Sequence, residues 1–126
     1  MTKTRVLIVD DAIFMRNMIK DIFSGSGFEV VGEAANGLEA VERFKELKPD
    51  LTTMDIVMPY KSGIEATREI VKGDPKAVVV ICSALGQESL VMEAIEAGAA
   101  DFIVKPFRAE DVLAVVKKVL GETPKV

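Results

Sequence analysis

Residues 50–59 read Asp-Leu-Thr-Thr-Met-Asp-Ile-Val-Met-Pro, and this stretch decides the fold. Leu51 to Met54 is a short run of apolar and β-branched residues, the composition of a strand, and Pro59 has no amide hydrogen with which to carry a ladder onward. Asp55 therefore stands where a central strand runs out into a loop, the place where open α/β sheets collect their ligands. Three more strand-like runs end in polar groups: Arg5 to Val9 in Asp10 and Asp11, Ala77 to Cys82 in Ser83, and Asp101 to Val104 in Lys105. Laid side by side as parallel neighbours, these runs bring three acids, a hydroxyl and a base to one edge of a sheet.

Outward from that stretch, short apolar runs alternate with amphipathic ones, the pattern of βαβ units and a mainly parallel sheet. Five pairs fit. Arg5 to Val9 precedes a helix over about Ile13 to Phe23, with Phe14, Met15, Met18, Ile19 and Ile22 at helical spacing, ended by Ser24 to Gly27. Phe28 to Ala34 precedes a helix opened by Asn36, with Glu39 as capping partner and Val41, Phe44 and Leu47 along one face, stopped by Pro49. Leu51 to Met54 precedes a helix over Ile64 to Val71, opened by the S-x-x-E cap of Ser62 and Glu65.

Ala77 to Cys82 is apolar without alternation, as a central strand covered on both faces should be, and precedes a helix over about Gln87 to Ala97 closed by Gly98. Asp101 to Val104 precedes Ala109 to Leu120, whose first turn carries Glu110 and Asp111 and whose end carries Lys117 and Lys118, in accord with the macrodipole. A single domain over 1–126 is expected, with its core at about 4–120 and Gly121 to Val126 a frayed tail.

Composition removes whole classes of chemistry. The 126 residues include no histidine, so no Ser-His-Asp triad, Cys-His dyad or imidazole ligand exists. The single cysteine, Cys82, sits in an apolar run and reads as a buried thiol in a reducing compartment. A formal charge of -4 and a pI near 4.9 repel phosphate backbones, so no nucleic-acid binding is expected. After the basic start Met1 to Arg5 come only four apolar residues before Asp10, short of the roughly 7–15 of a signal peptide, and no run approaches the ~20 of a membrane span. The expectation is a cytoplasmic chain without membrane contact.

Crowded carboxylates need a positive counterpart, because unit charges about 4 Å apart repel by roughly 1–4 kcal/mol near a protein surface. An all-oxygen donor set selects a hard ion, and a few carboxylates completed by water and phosphoryl oxygens suit Mg²⁺. Lys105 supplies the remaining charge. Asp55 is then placed to act as a carboxylate nucleophile toward phosphorus, with Ser83 donating a hydrogen bond to the same group. Taken singly these residues say little: an Asp pair after a strand is usually a turn or cap, and a lone lysine or serine is usually a surface or turn group. The weight lies in four strand ends offering an Asp pair, Asp, Ser and Lys in that order.

With those pieces in view, Val-Leu-Ile-Val-Asp-Asp at 6–11, Met-Asp-Ile-Val-Met-Pro at 54–59, Ser83-Ala84 and Val-Lys-Pro-Phe at 104–107, the chain resembles response-regulator receiver domains, and within them the single-domain chemotaxis (CheY-like) type. The resemblance spans residues 4 to about 120. It implies a doubly wound, flavodoxin-like α/β fold with a five-stranded parallel sheet in the order 2-1-3-4-5. It further implies that Asp55 is the phospho-acceptor, that Asp10, Asp11, Asp55 and the backbone carbonyl of Val57 hold Mg²⁺, and that Ser83 and Lys105 contact the phosphoryl group. Phe102 matches the aromatic that swings inward when the hydroxyl of Ser83 moves, and the bond before Pro106 is expected to be cis.

By the same resemblance the donor is a histidine kinase in trans, since the chain has no histidine of its own, and the output leaves by protein contact through the fourth helix, fifth strand and fifth helix. A flagellar motor switch is the expected target, a stand-alone phosphorelay receiver or a regulator of another protein the alternative. The chain is expected to be a monomer and no enzyme beyond its own phosphoryl transfer and slow autodephosphorylation. Val57 and Leu85 depart from the pattern, being apolar where polar side chains are common, so a phosphatase that positions water through a polar partner meets none at Val57. A dehalogenase-type phosphatase wants an acid two residues after its nucleophile, where this chain has Val57. A flavodoxin-like carrier wants a Ser, Thr and Gly-rich phosphate loop where this chain has Asp10 and Asp11.

Overall fold

The computed structural model describes residues 3–24 and 27–121. In chain order its elements are β1 (Thr4–Val9), α1 (Ile13–Phe23), β2 (Phe28–Ala34), α2 (Gly37–Leu47), β3 (Leu51–Asp55), α3 (Gly63–Gly73), β4 (Val79–Ser83), α4 (Glu88–Glu96), β5 (Asp101–Val104) and α5 (Ala109–Val119). The strands form one parallel sheet in the order β2-β1-β3-β4-β5, the order the resemblance implied.

Alternation along the strands assigns the two faces. Val6, Ile8, Leu51, Val80 and Cys82 meet Ile19 and Phe23 of α1 and Val112 and Val116 of α5. The intervening residues Leu7, Val9, Met54, Val79 and Ile81 meet α2, α3 and α4 through Ala40, Val41, Phe44, Ile64, Ile70, Val91 and Ala94. With apolar side chains buried on both faces, the inner strands carry the continuous hydrophobic runs seen in the sequence.

The caps explain where the helices start. Asn36 accepts the Glu39 amide at 2.9 Å, while the Glu39 carboxylate reaches back to the Ala35 amide at 2.8 Å. Ser62 and Glu65 close a reciprocal capping box on α3. At α5 the Asp111 carboxylate accepts the Arg108 amide at 3.3 Å.

Two expectations need correction. β4 begins at Val79, because a turn holds Ala77 by its amide to the carbonyl of Asp74 at 2.9 Å, and the strand then runs on through Ser83. Phe14 does not join the buried face of α1: it is 72 % exposed, lying ~140° around the helix from Ile19, while Phe23 at the helix end is fully buried. The expected tail lies outside the described residues from position 122, as do positions 25 and 26 of the expected turn between α1 and β2.

Candidate functional site

Strand register brings the polar ends together. Val9 pairs with Met54, so Asp10 and Asp55 leave adjacent strands at the same level. Asp55 pairs with Cys82, Ser83 with Val104, and the Lys105 amide donates to the carbonyl of Ser83 at 2.7 Å. Each step across the sheet from β3 to β5 thus moves the last ordered position one residue further, and Lys105 emerges beside the acids although 50 residues separate it from Asp55. The Lys105–Pro106 peptide is cis, as expected.

Glycine shapes the approach of α3. A Cβ on Gly63 would lie 1.9 Å from the carbonyl oxygen of Asp55, and the Gly63 amide donates to Ile56 at 2.7 Å. Only a residue without a side chain lets the helix start this close to the end of β3. The N-terminus of α2 closes on the same loop, Gly37 donating to the Lys61 carbonyl at 3.0 Å.

Asp10, Asp11 and Asp55 each place one carboxylate oxygen within 4.8 Å of the others. Lys105 Nζ bridges two of them, 3.1 Å from Asp10 Oδ2 and 3.3 Å from Asp55 Oδ1. The Ala12 amide donates to Asp10 Oδ1 and the Ile56 amide to Asp55 Oδ1, both at 2.9 Å. Asp10 is buried, Asp55 half-buried, and Asp11 exposed with no side-chain hydrogen bond or ion pair among the described residues.

This crowding has an electrostatic cost that the protons report. Burial, and then repulsion from Asp10, push the Asp55 carboxyl up to about 6, against the opposing pull of Lys105 and the Ile56 amide. Burial alone would lower Lys105, but the Asp55 and Asp10 carboxylates outweigh it and hold the ammonium above its ordinary range. Three carboxylates against one ammonium leave the pocket short of positive charge, and every donor is oxygen. That set fits a hard divalent cation held by Asp10, Asp11 and Asp55.

Ser83 is buried at the end of β4, and its neighbourhood leads away from the acids. With Leu85, Val91, Met92, Phe102 and Val104 it lines a groove between the edge of the sheet and α4. Phe102 therefore belongs to this groove and not to the acid cluster, and it is 41 % exposed. Val57 and Leu85, two residues beyond Asp55 and Ser83 in the chain, expose their apolar side chains. Cys82 lies beneath, its thiol pushed up to about 12 by burial and hence inert.

Sequence reasoning missed Arg16. Its guanidinium donates to the main-chain carbonyl of Asp10 at 2.6 Å and to Glu33 at 2.9 Å. A signal was present: a cation in the first turn of a helix sits at the end the macrodipole disfavours, which calls for a specific partner.

Comparison with known proteins gives a match to the response regulator receiver domain family over residues 6–117. The chemotaxis protein CheY of Thermotoga maritima is 61% identical over 115 residues, covering 91% of this chain and 96% of that protein. CheY of Bacillus subtilis is 60% identical over 117 residues, covering 93% and 98%. Among solved structures, the CheX–CheY–BeF3–Mg²⁺ complex from Borrelia burgdorferi superposes with a TM-score of 0.89 at 40% identity, covering 94% of this chain and 90% of that one.

Proposed function

The chain belongs to the response-regulator receiver family, and from that premise we propose that it is a chemotaxis-type signalling switch phosphorylated on Asp55. One juxtaposition carries the reading: a half-buried carboxylate at the end of the middle strand, flanked by two acids within 4.8 Å and by the ammonium of Lys105 at 3.3 Å. The CheY proteins of Thermotoga maritima and Bacillus subtilis each cover more than nine-tenths of this chain.

In this reading a carboxylate oxygen of Asp55 attacks the phosphorus of a phosphohistidine on a kinase in trans. The N–P bond breaks, its electrons return to the imidazole, and an aspartyl acyl phosphate forms. Lys105, already within reach of Asp55, pairs with an oxygen of the incoming group, and Ser83 donates its hydroxyl to another. Asp10, Asp11, Asp55 and the main-chain carbonyl of Val57 hold Mg²⁺, which when bound balances the phosphoryl charge. Water later cleaves the acyl phosphate, so the chain turns over no substrate but itself.

Output leaves through the face formed by α4, β5 and α5. Leu85, Met92 and Phe102 are exposed there, and Ser83 joins that groove to the site. A flagellar motor switch protein is the proposed target. Incubation with acetyl phosphate and Mg²⁺ tests the core of the proposal: wild type takes up one phosphoryl group by intact mass and Asp55→Asn takes up none. Phosphate retained by Asp55→Asn overturns the assignment.

A further inference from the structure

We propose that Arg16 is a positioning residue for the metal site, fixing Asp11 by gripping the peptide link between Asp10 and Asp11; this rests on the reading of the three acids as a Mg²⁺ site. Of the three carboxylates, Asp10 and Asp55 are held directly, each by Lys105 and by a backbone amide. Asp11 is held by nothing through its side chain among the described residues. Where its carboxylate points therefore depends on the orientation of the peptide plane that precedes it.

That plane has left the sheet. The last β1–β2 pair is Val9 with Ala34, and the Asp10 amide makes the final contact to the Ala34 carbonyl at 3.1 Å. The Asp10 carbonyl accepts instead from a guanidinium nitrogen of Arg16 at 2.6 Å, a short charge-assisted bond. The fork is itself anchored: Arg16 Nε donates to Glu33 at 2.9 Å, Glu33 also takes Lys20 at 2.8 Å, and the Arg16 side chain is only 15% exposed. The Lys20 hydrogen bond, with help from Arg16, keeps the Glu33 carboxyl below its ordinary range, so the anchor stays ionised. A planar fork serves two acceptors at once, which an ammonium cannot do in the same geometry.

The inference separates from simple electrostatics by sign. As a charge alone, Arg16 repels a cation, and its removal tightens Mg²⁺ binding. As a positioning group, its removal loosens Asp11 and weakens binding, by about tenfold on the scale of lost outer contacts to metal ligands. The experiment is calorimetric titration of MgCl2 into the metal-free full chain of wild type, Asp11→Ala, Arg16→Met, Arg16→Lys and the Asp11→Ala, Arg16→Met double variant, each first shown to be folded by circular dichroism.

Arg16→Met is expected to lose about tenfold and Arg16→Lys about threefold in affinity. In the Asp11→Ala background, adding Arg16→Met is expected to change little, because its effect runs through Asp11. Binding by Arg16→Met as tight as wild type or tighter overturns the inference, as does an equal loss with and without Asp11. If Arg16→Met does not fold, wild-type affinity in Arg16→Lys overturns it. A wild type that binds no Mg²⁺, or an Asp11→Ala that binds as well as wild type, overturns the metal reading itself, a result distinct from failure of Arg16 alone.

Discussion

The acid pocket at the end of β1 and β3 and the groove between α4 and β5 are neighbours that differ in what they lack. In the pocket, Asp10, Asp55 and Lys105 are tied to one another and to backbone amides, yet the charges do not balance. In the groove, where Glu88 is the one charged lining residue, it is apolar surface that lies uncovered: Leu85, Met92, Phe102 and Val104 are 77, 61, 41 and 37 % exposed. In the proposed reading a cation or a phosphoryl group with its counter-ion would meet the first deficit, and the apolar surface of another protein the second. Ser83 and Lys105 stand between them: the carbonyl of Ser83 holds the amide of Lys105, and Ser83 lines the groove. Two adjoining strand ends, those of β4 and β5, thus face an electrostatic problem on one side and a packing problem on the other.

The comparison breaks most sharply at Asp11, the one acid without a side-chain partner. Asp11→Ala should weaken Mg²⁺ binding by at least about tenfold and slow phosphorylation with it, as calorimetry and acetyl phosphate labelling will read. Its metal-free form should melt no lower than wild type, since removing one of three crowded acids relieves repulsion. A clear drop in melting temperature would show that the pocket is not short of positive charge.

Lys105→Arg tests whether the two regions communicate. The fork is too broad for the space between Asp10 and Asp55 that one ammonium now spans at 3.1 and 3.3 Å. Phosphorylation is expected to survive, but the groove should no longer sense it. Methyl NMR of Met92 and Val104 provides the readout: acetyl phosphate moves these signals in wild type and leaves them in place in phosphorylated Lys105→Arg. Equal shifts in the two proteins would place the link elsewhere.

A smaller effect is expected at Val57 and Leu85, which follow Asp55 and Ser83 by two residues and are 59 and 77 % exposed. Apolar side chains there offer no hydrogen bond to a water approaching the acyl phosphate, raising the barrier by ~1 kcal/mol. The wild-type phosphoprotein should outlive the Val57→Asn, Leu85→Glu double variant by about five- to tenfold, measured as decay after the phosphodonor is removed. Equal lifetimes would put control of water access elsewhere.

A separate effect is in pH. In metal-free buffer Asp55 titrates near 6 in the folded protein, against 3.8 as its ordinary value. The folded state therefore holds that proton more tightly than the unfolded chain. The contribution of Asp55 to stability is greatest below about pH 4, falls as pH rises toward 6, and is flat above. Urea unfolding of wild type and Asp55→Asn across this window isolates the effect, because the other acids are common to both. The stability of wild type relative to Asp55→Asn should decline with rising pH, and a rising difference would contradict the burial and repulsion assigned to the pocket.

Much of this was legible before folding. The ends of β2 and β5 and both limits of α1 fall where the sequence places them, because period-two and period-3.6 patterning is a local signal; so are the Asn36 and Ser62 caps that open α2 and α3. The four polar strand ends were equally visible. Phe14 was misread because apolar spacing marks a helix without saying which of its apolar rows meets the sheet. Arg16 was overlooked because its two acceptors, a carbonyl six residues back and a carboxylate 17 residues on, meet only after β1 and β2 pair.

The sequence by itself thus determined the elements, their alternation and the set of groups at the strand ends, since each of these depends on interactions among residues a few positions apart. Only the tertiary structure decided that Asp10 is buried while its neighbour Asp11 is exposed, and that one ammonium from β5 reaches past β4 to two acids on β1 and β3. It alone sent Phe102 to a groove away from those acids. The physical reason is that burial and charge pairing depend on which strands become neighbours and in what register, and that choice is made by the packing of whole helices on both faces of the sheet.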